Sequence, residues 1–261
     1  MKIEPQFLAE KKKTALLVAE AARAVTLSYY GSHLPVCTKQ DNSPVTEADR
    51  QTEQRMRAVI AQHWPSHGIY GEEYGAANSE AESVWVIDPI DGTKSFITGN
   101  PLWGTLVAYC LAQEPVVGVI DLPALGQCWV ASQNGGTYCN GERRSVMPCL
   151  QLESARFQTT SPDAFTAQEW DVVDRISQQC AMRRFGGDCF IFTQLAAGHV
   201  DVVMESGLQP YDYMALVNIV QEAGGVISDW QGQPLHLHSS GQVLASASAA
   251  LHAQVLAMLA Q

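Results

Sequence analysis

The chain lacks long apolar segments. Eighteen uncharged apolar residues never stand together, and the N-terminus carries Glu4, Glu10 and the basic run 11–13 without a continuous apolar stretch. A membrane-spanning helix needs about 20 consecutive apolar residues, and a secretory signal peptide contains an apolar region. The sequence therefore predicts a protein that neither spans a membrane nor is exported.

Basic residues are also scarce. Sixteen Lys and Arg stand against 27 Asp and Glu, which leaves a formal net charge of −11 at pH 7. Nucleic acids and anionic membranes bind positively charged surfaces. The balance therefore argues against nucleic acid and membrane as partners, and part of the acidic excess is available as metal ligands.

Paired cysteines and clustered histidines are missing as well. The seven Cys are an odd number with no C-x-x-C pair and no zinc spacing. We interpret them as reduced thiols of a cytoplasmic protein. His residues without ligand spacing are expected on the surface or in the core: His33, His63, His67, His236 and His238.

The composition that remains is typical of a globular protein. With 261 residues, 46% hydrophobic and 16% charged, the chain can form one large or two small domains with a sizeable core. We expect a crossing between two halves over 147–153. The predicted division is an N-terminal α+β half, 1–148, and a C-terminal α/β half, 149–261.

In the N-terminal half, helical spacing of apolar residues predicts a helix over 7–30 that ends at Gly31, and a second helix through about residue 63. A short strand is expected at 69–70, followed by a polar loop over 74–83. Short apolar runs separated by turn residues then predict an antiparallel sheet. These runs are 102–111, 116–121, 127–132 and 137–139.

In the C-terminal half, strands are expected to alternate with helices. The predicted strands are 156–159, 182–185, 200–204 and 226–228. The predicted helices are 167–179, 188–197, 213–223 and 251–259.

Residues 85–96, WVIDPIDGTKSF, change from a buried strand to a carboxylate-rich turn within four residues. Pro89 lacks an N–H donor, so the strand should stop at Asp88. Asp88 and Asp91 then flank a tight bend, and the backbone amides of Gly92 and Thr93 can hold an anion if a helix starts there. An Asx-type turn that merely caps a helix explains the same residues.

Other acids are open to two interpretations. Glu72 and Glu73 follow the 69–70 strand, where one carboxylate can face a cleft while the other supports it, although adjacent surface acids are usually just solvated. Asp49, three residues after Thr46, completes a capping box that opens the second helix. Asp212 has the position of a helix N-cap.

The 85–96 stretch resembles, almost residue for residue, the signature of the inositol monophosphatase family of Mg²⁺-dependent, lithium-sensitive phosphatases. The motifs Gly71-Glu72-Glu73, Pro210-Tyr211-Asp212 and 222–225 (EAGG) stand in the family's order, so the resemblance runs from about residue 39 to about residue 247. It implies a layered αβαβα sandwich with a metal site between two halves, and a homodimer.

The resemblance also implies roles for individual residues. Two or three Mg²⁺ ions are expected, one held by Glu72, Asp88 and the Ile90 carbonyl, and a second by Asp88, Asp91 and Asp212. Either Glu72, or Thr93 oriented by Asp49, would activate the attacking water. The amides of Gly92 and Thr93 would bind phosphate, and the supporting residues are Glu73 and Lys39.

The segments 184–189 (RFGGDC), 196–201 and 205–212 resemble most closely the branch of the family that dephosphorylates histidinol phosphate. Carboxylates in the substrate pocket favour a leaving group with an amine and an imidazole. The expected substrate-binding residues are Asp91, Gly187, Asp188, Glu205 and Asp212, although Asp188 can instead be a helix cap.

Several other functions remain open for this sequence. Inositol 1-phosphate hydrolysis is the main alternative, and sugar bisphosphates and nucleotide 3′-phosphates are further small substrates for the same chemistry. A non-catalytic binding module with this fold is an alternative of a different class. Mg²⁺-dependent phosphate release separates this last alternative from the others.

Overall fold

The computed structural model describes residues 3–33, 35–38 and 44–260. The helices are α1 (Pro5–Tyr29), α2 (Glu47–His63), α3 (Thr93–Ile97), α4 (Ala167–Ser177), α5 (Phe190–Ala196), α6 (Pro210–Glu222) and α7 (Ala249–Leu259). The strands up to the crossing are β1 (Cys37–Thr38), β2 (Pro44–Val45), β3 (Gly68–Gly71), β4 (Gly75–Ala77), β5 (Ser83–Asp91), β6 (Gly104–Leu111), β7 (Glu114–Leu122), β8 (Gln127–Ser132), β9 (Gly136–Cys139) and β10 (Glu142–Arg144). The remaining strands are β11 (Arg156–Thr159), β12 (Met182–Phe185), β13 (Val202–Glu205), β14 (Val226–Ser228) and β15 (Val243–Ser246).

The strands form two large sheets and one small one. The first has eight strands in the order β10-β9-β8-β7-β6-β5-β3-β4, and only its β3–β5 pair is parallel. The second has five strands in the order β12-β11-β13-β15-β14, of which the first three run parallel. β1 and β2 pair as a separate antiparallel ribbon.

The helices form three layers around these two sheets. α1 and α2 cover one face of the eight-stranded sheet, and α5 and α6 fill the space between the two sheets. α4 and α7 pack on the outer face of the five-stranded sheet. This succession of layers is the αβαβα sandwich, so the predicted fold is confirmed.

Strand β5 shows how the sequence specifies these layers. Successive side chains of a strand point to opposite faces. Val84 and Val86 accordingly pack against the central helices, while Trp85 and Ile87 pack against α1 and α2. Both faces of β5 are buried, so its carboxyl end lies between two helical layers.

The predicted end of this strand at Asp88 was wrong. β5 continues through Pro89 to Asp91, and its pairing with β6 shifts register between Asp88 and Asp91. A proline is tolerated in such an irregularity because no regular ladder hydrogen bond requires its N–H. The Pro89 carbonyl accepts a 2.8 Å hydrogen bond from Thr105 Oγ1, which holds the irregular segment in place.

The other predicted helices and strands are present, with ends that differ by a few residues. The predicted loop 74–83 contains β4, which pairs with β3 through glycine and alanine residues that carry little strand signal. β1, β2, β10 and β15 were also not predicted. The first helix ends one residue earlier than expected, and Gly31 follows its cap with a left-handed φ of 79°.

Among the described residues, no helix combines the length and the apolar character that crossing a membrane requires. The division of the chain at residue 148 stays a prediction. One hydrophobic core, between the two sheets, contains residues from both predicted halves, among them Val86 and Ile219.

Candidate active site

Three carboxylates converge where β5 meets the start of α6. Asp88, Asp91 and Asp212 each offer one oxygen, and these oxygens lie within 4.8 Å of one another. Asp88 is buried, whereas Asp91 and Asp212 are partly exposed. A strand end and a helix start thus bring together residues that are more than a hundred positions apart in the sequence.

These carboxylates disfavour one another's ionisation. Burial raises the pKa of Asp88 well above its ordinary value, and the charges of Glu72, Asp91 and Asp212 raise it further. Burial likewise raises the pKa of Asp91, with added repulsion from Asp188 and Asp212. A divalent cation would reverse both effects, because it favours the ionised forms. The chemistry of this donor set, oxygen ligands only, fits a hard cation such as Mg²⁺.

Glu72 and Ile90 also lie at this cluster. Glu72 follows β3 and is a hydrogen-bond partner of Asp88, although it lies outside the group of three mutually close oxygens. The Ile90 carbonyl accepts a 3.2 Å hydrogen bond from Thr93 Oγ1, and a carbonyl oxygen has two lone pairs. Ile90 N–H donates to Asp88 Oδ1 at 2.9 Å, so the Asx-type turn considered for this bend is present.

The Asp49 carboxylate caps α2 and also contacts Thr93, while its catalytic role stays a prediction. Its Oδ2 accepts hydrogen bonds from the Thr46 N–H and hydroxyl, at 2.8 and 2.6 Å, which completes the capping box of α2. Its Oδ1 lies 3.4 Å from Thr93 Oγ1. The buried Asp49 therefore connects the start of α2 to the first residue of α3.

Helix α3 starts at the signature turn as predicted. Gly92 is its N-cap, with a left-handed φ of 86°, and no side chain caps this helix. First-turn amides have no acceptor within their own helix, so those of Gly92 and Thr93 can donate to an anion. A Cβ on Gly92 would lie 2.8 Å from Asp188 Oδ2, which shows how closely the two loops approach.

Asp188 belongs to this contact and does not cap α5. Its Oδ2 accepts a 2.9 Å hydrogen bond from Ser95 Oγ, while the N-cap of α5 is Cys189, which makes no side-chain capping hydrogen bond. Asp188 has a left-handed φ of 44°, after Gly186 and Gly187 with φ of 103° and 128°. The neighbouring Cys189 N–H donates to Asp91 Oδ2 at 2.6 Å, so the same loop also fixes Asp91.

Glu205 lies at the end of β13 and is 2% exposed. Its Oε1 accepts a 2.6 Å hydrogen bond from the Thr160 N–H. Burial raises the pKa of Glu205 to about 8, with this hydrogen bond opposing the shift and Asp188 and Asp91 adding to it. Glu205 is therefore a buried acid that faces other acids.

A cavity of about 100 Å³ joins Glu205 and Asp188 to Asp91 and Asp212 of the carboxylate cluster. The remaining lining residues are mostly apolar: Thr160, Ala164, Cys189, Phe192, Leu208 and Leu216. The cavity thus has four acids in an otherwise largely apolar wall. The sequence did not indicate the apolar residues, because nothing distinguishes them locally from the rest of the core.

Three further expected site residues differ in how the structure bears on them. Asp212 is not the N-cap of α6, since Gln209 takes that position and Asp212 Oδ2 accepts the Gln209 N–H at 2.7 Å from the third helical residue. Gly187 belongs to the 186–189 loop beside the site, and a Cβ on it would lie 2.7 Å from Ile191 Cγ2, so its expected substrate-binding role stays a prediction. Lys39 lies outside the described residues.

Glu73 is held through its backbone by a residue that the sequence interpretation missed. Its N–H donates to Glu53 Oε2 at 2.6 Å, and Glu53 itself is fully buried on α2. A signal was available, because Glu53 follows Asp49 by four residues on the buried face of an amphipathic helix. Charged residues are rarely buried unless they are paired.

The comparisons with known proteins agree with this geometry. Residues 8–261 match the inositol monophosphatase family. The bifunctional phosphatase IMPL2, chloroplastic, of Arabidopsis thaliana is 41% identical over 231 residues, which is 88% of this chain and 67% of that protein. A histidinol-phosphatase of Chlorobaculum parvum is 35% identical over 240 residues, covering 89% of this chain and 90% of the relative.

A solved structure of an inositol monophosphatase from Zymomonas mobilis superposes with a TM-score of 0.90 at 38% identity, covering 97% of this chain and 98% of that one. The family match covers nearly the whole chain, and it includes both the strand that carries Asp88 and the helix that carries Asp212. The chain therefore belongs to the inositol monophosphatase family of phosphatases.

Proposed function

We propose that this phosphatase is a Mg²⁺-dependent histidinol-phosphatase, which converts L-histidinol phosphate and water to L-histidinol and phosphate. The observation that carries the proposal is the cavity in which Asp188 and Glu205 stand beside Asp91 and Asp212. The name of the Chlorobaculum parvum relative supports the same substrate.

The metal ligands in this proposal are the carboxylates of Asp88, Asp91 and Asp212, with Glu72 and the Ile90 carbonyl as ligands of a second ion. Asp88 would contribute to both sets of ligands, because Glu72 and the other two aspartates all interact with it. Bound Mg²⁺ supplies positive charge that neutralises the phosphate and favours formation of the nucleophile from water.

The chain's own groups hold the phosphate and the attacking water. The Gly92 and Thr93 amides, at the start of α3, donate to phosphate oxygens. Thr93 Oγ1, which lies 3.4 Å from Asp49 and 3.2 Å from the Ile90 carbonyl, can pass its own proton to Asp49 as it takes one from water. Glu72 is the alternative general base, since it lies at the same cluster.

The leaving group enters the cavity. An engineered protein cavity of about 150 Å³ binds benzene, so a volume of about 100 Å³ suits a group on the scale of one flat ring. Phe192, Leu208 and Leu216 contact the faces of such a ring, and Asp188 and Glu205 accept hydrogen bonds from its N–H groups or from an ammonium. Histidinol carries both groups, whereas inositol carries only hydroxyls.

The test is a side-by-side measurement of kcat/KM for histidinol phosphate and inositol 1-phosphate, with phosphate release as the signal. We expect at least a tenfold preference for histidinol phosphate and no release in the presence of a chelator. Equal values, or a preference for inositol 1-phosphate, would contradict the proposed substrate. Absence of turnover with every small monoester would instead favour a binding module.

A further inference from the structure

Helix α2 contacts the active site at two points one helical turn apart. Asp49, in its first turn, lies beside Thr93, and Glu53 follows four residues later. Residues four apart share a helix face. Both side chains are fully buried, so this face of α2 presents two carboxylates to the strand ends that carry the site.

Glu53 binds the backbone of the segment that follows Glu72. Its Oε2 accepts the Glu73 N–H at 2.6 Å, and its Oε1 accepts the Tyr74 N–H at 3.2 Å. Backbone N–H groups that donate to an ionised carboxylate form short, strong hydrogen bonds. These hydrogen bonds fix the backbone of the two residues after Glu72 to α2.

The residue before Glu72 is tied to Glu53 by close packing. A Cβ on Gly71 would lie only 2.3 Å from Glu53 Oε1, so the glycine allows the strand end to reach the carboxylate. Glu72 thus stands between Gly71, which packs on Glu53, and Glu73, which donates to it. The backbone of Glu72 has little freedom to move relative to α2.

Arg57 completes this arrangement. Its Nε lies 2.7 Å from Glu53 Oε1, in an ion pair that is largely buried, and its Nη2 donates to the Gly75 carbonyl. The guanidinium therefore neutralises Glu53 and also binds the start of β4, the strand that follows the turn. A buried carboxylate without such a partner would be strongly disfavoured.

We propose that Glu53 is a positioning residue, which sets the place of Glu72 relative to Asp88 and thereby the affinity of the site for a divalent cation. The inference rests on the proposed metal-dependent function. It adds a residue that does not touch the cation. It predicts that a change 19 residues from Glu72 in sequence weakens cation binding. Residues that hold metal ligands in place typically contribute about 10- to 100-fold in metal affinity or activity.

The test compares three variants with the wild type. Glu53→Gln keeps the side-chain volume but places an amide NH₂ where a carboxylate oxygen now accepts hydrogen bonds. Glu53→Asp keeps the charge but withdraws it by one methylene. Glu47→Gln is the matched control, since Glu47 is exposed on the same helix. Mg²⁺ binding to metal-free protein is measured by calorimetry, kcat is measured as a function of Mg²⁺ concentration, and urea unfolding is measured without metal.

We expect Glu53→Gln and Glu53→Asp to weaken Mg²⁺ binding about tenfold and to raise the Mg²⁺ concentration at half-maximal activity by the same factor. At saturating Mg²⁺ most of the wild-type kcat should return. Glu47→Gln should match the wild type in all three measurements. If Glu53→Gln does not fold, Glu53→Asp decides the question alone.

Two results would overturn the inference: unchanged Mg²⁺ affinity in a folded Glu53 variant, or a loss of stability with no change in the Mg²⁺ dependence. Either would make Glu53 purely structural. Failure of the proposed function is distinguishable, because the wild type itself would then show neither Mg²⁺ binding nor Mg²⁺-dependent phosphate release.

Discussion

Replacing Glu205 by Gln should reduce activity towards histidinol phosphate while stabilising the protein. Gln has nearly the same volume and keeps a carbonyl oxygen that can accept the 2.6 Å hydrogen bond from the Thr160 N–H, so the fold should persist. What the substitution removes is a carboxyl group that holds a proton in the free protein at pH 7 and can ionise beside a bound cation. The two effects can be estimated separately.

The effect on activity follows from hydrogen-bond strengths. A charge-assisted hydrogen bond contributes about 1.5–3 kcal/mol and a neutral one about 0.5–1.5 kcal/mol. The difference of roughly 1–2 kcal/mol corresponds to a fall of about five- to thirtyfold in kcat/KM for histidinol phosphate. A phosphate ester of a small neutral alcohol does not place a cation beside Glu205, so its kcat/KM should change by less than about twofold.

The effect on stability has the opposite sign. Burial raises the pKa of Glu205 from 4.5 to about 8 in the folded protein. The folded state therefore holds a proton that the unfolded state releases, and the wild type loses stability as the pH rises from about 4.5 to about 8. At pH 7 this loss is about 3 kcal/mol on the order-of-magnitude scale of 1.36 kcal/mol per pKa unit, and Gln does not incur it.

The assay combines phosphate release for both substrates with urea unfolding of metal-free protein at pH 5 and pH 7. We expect the stability gain of Glu205→Gln to be larger at pH 7 than at pH 5. A parallel fall in kcat/KM for both substrates would show that Glu205 serves the metal site or the fold, and it would refute the role of Glu205 in recognising a cation.

Three further predictions concern other parts of the molecule. Asp91→Asn should abolish nearly all phosphate release with an unchanged circular dichroism spectrum, because it removes a ligand charge at constant volume; near-wild-type activity at saturating Mg²⁺ would contradict the metal role. Gly92→Ala should destabilise the protein by more than the roughly 1–2 kcal/mol that a left-handed alanine costs, because its Cβ would meet Asp188. Urea unfolding measures the loss. The control is Gly99→Ala, which also has a left-handed φ but no neighbouring atom within 4 Å of the added Cβ. Burial lowers the pKa of His252 to about 4, so at pH 5 the unfolded state binds a proton that the folded state does not. Between pH 7 and pH 5 the wild type should therefore lose about 2 kcal/mol more stability than His252→Gln. Equal losses in urea unfolding would show that His252 does not titrate in this way.

Much of the fold could be predicted because its signals are local. Period-two and helical spacing of apolar residues, with capping residues at the ends, located most helices and strands to within a few residues. The failures also have local causes. β4 consists of Gly and Ala, and β10 of charged residues, so neither carries the apolar alternation that identifies a strand. The continuation of β5 past Pro89 depends on a bulge against β6 that the β5 sequence does not reveal.

The site residues likewise fall into features that the local sequence indicates and contacts that only the folded structure shows. The sequence by itself determined the donor types and their spacing: carboxylates at Asp88 and Asp91 on one bend, a glycine before the start of α3, and an acid near the start of α6. Those features depend on backbone geometry over a few residues, and they suffice for the family resemblance.

The tertiary structure alone decided which distant groups meet. The Cys189 N–H reaches Asp91 across 98 positions, Glu205 faces Asp188 across the cavity, and Glu53 holds the backbone on both sides of Glu72. Such contacts require the sheets and helix layers to pack first, because loop closure brings these segments together only when the core offsets its entropic cost. The sequence can place Glu53 on the buried face of α2, but its role follows only from the strand end that folding places against it.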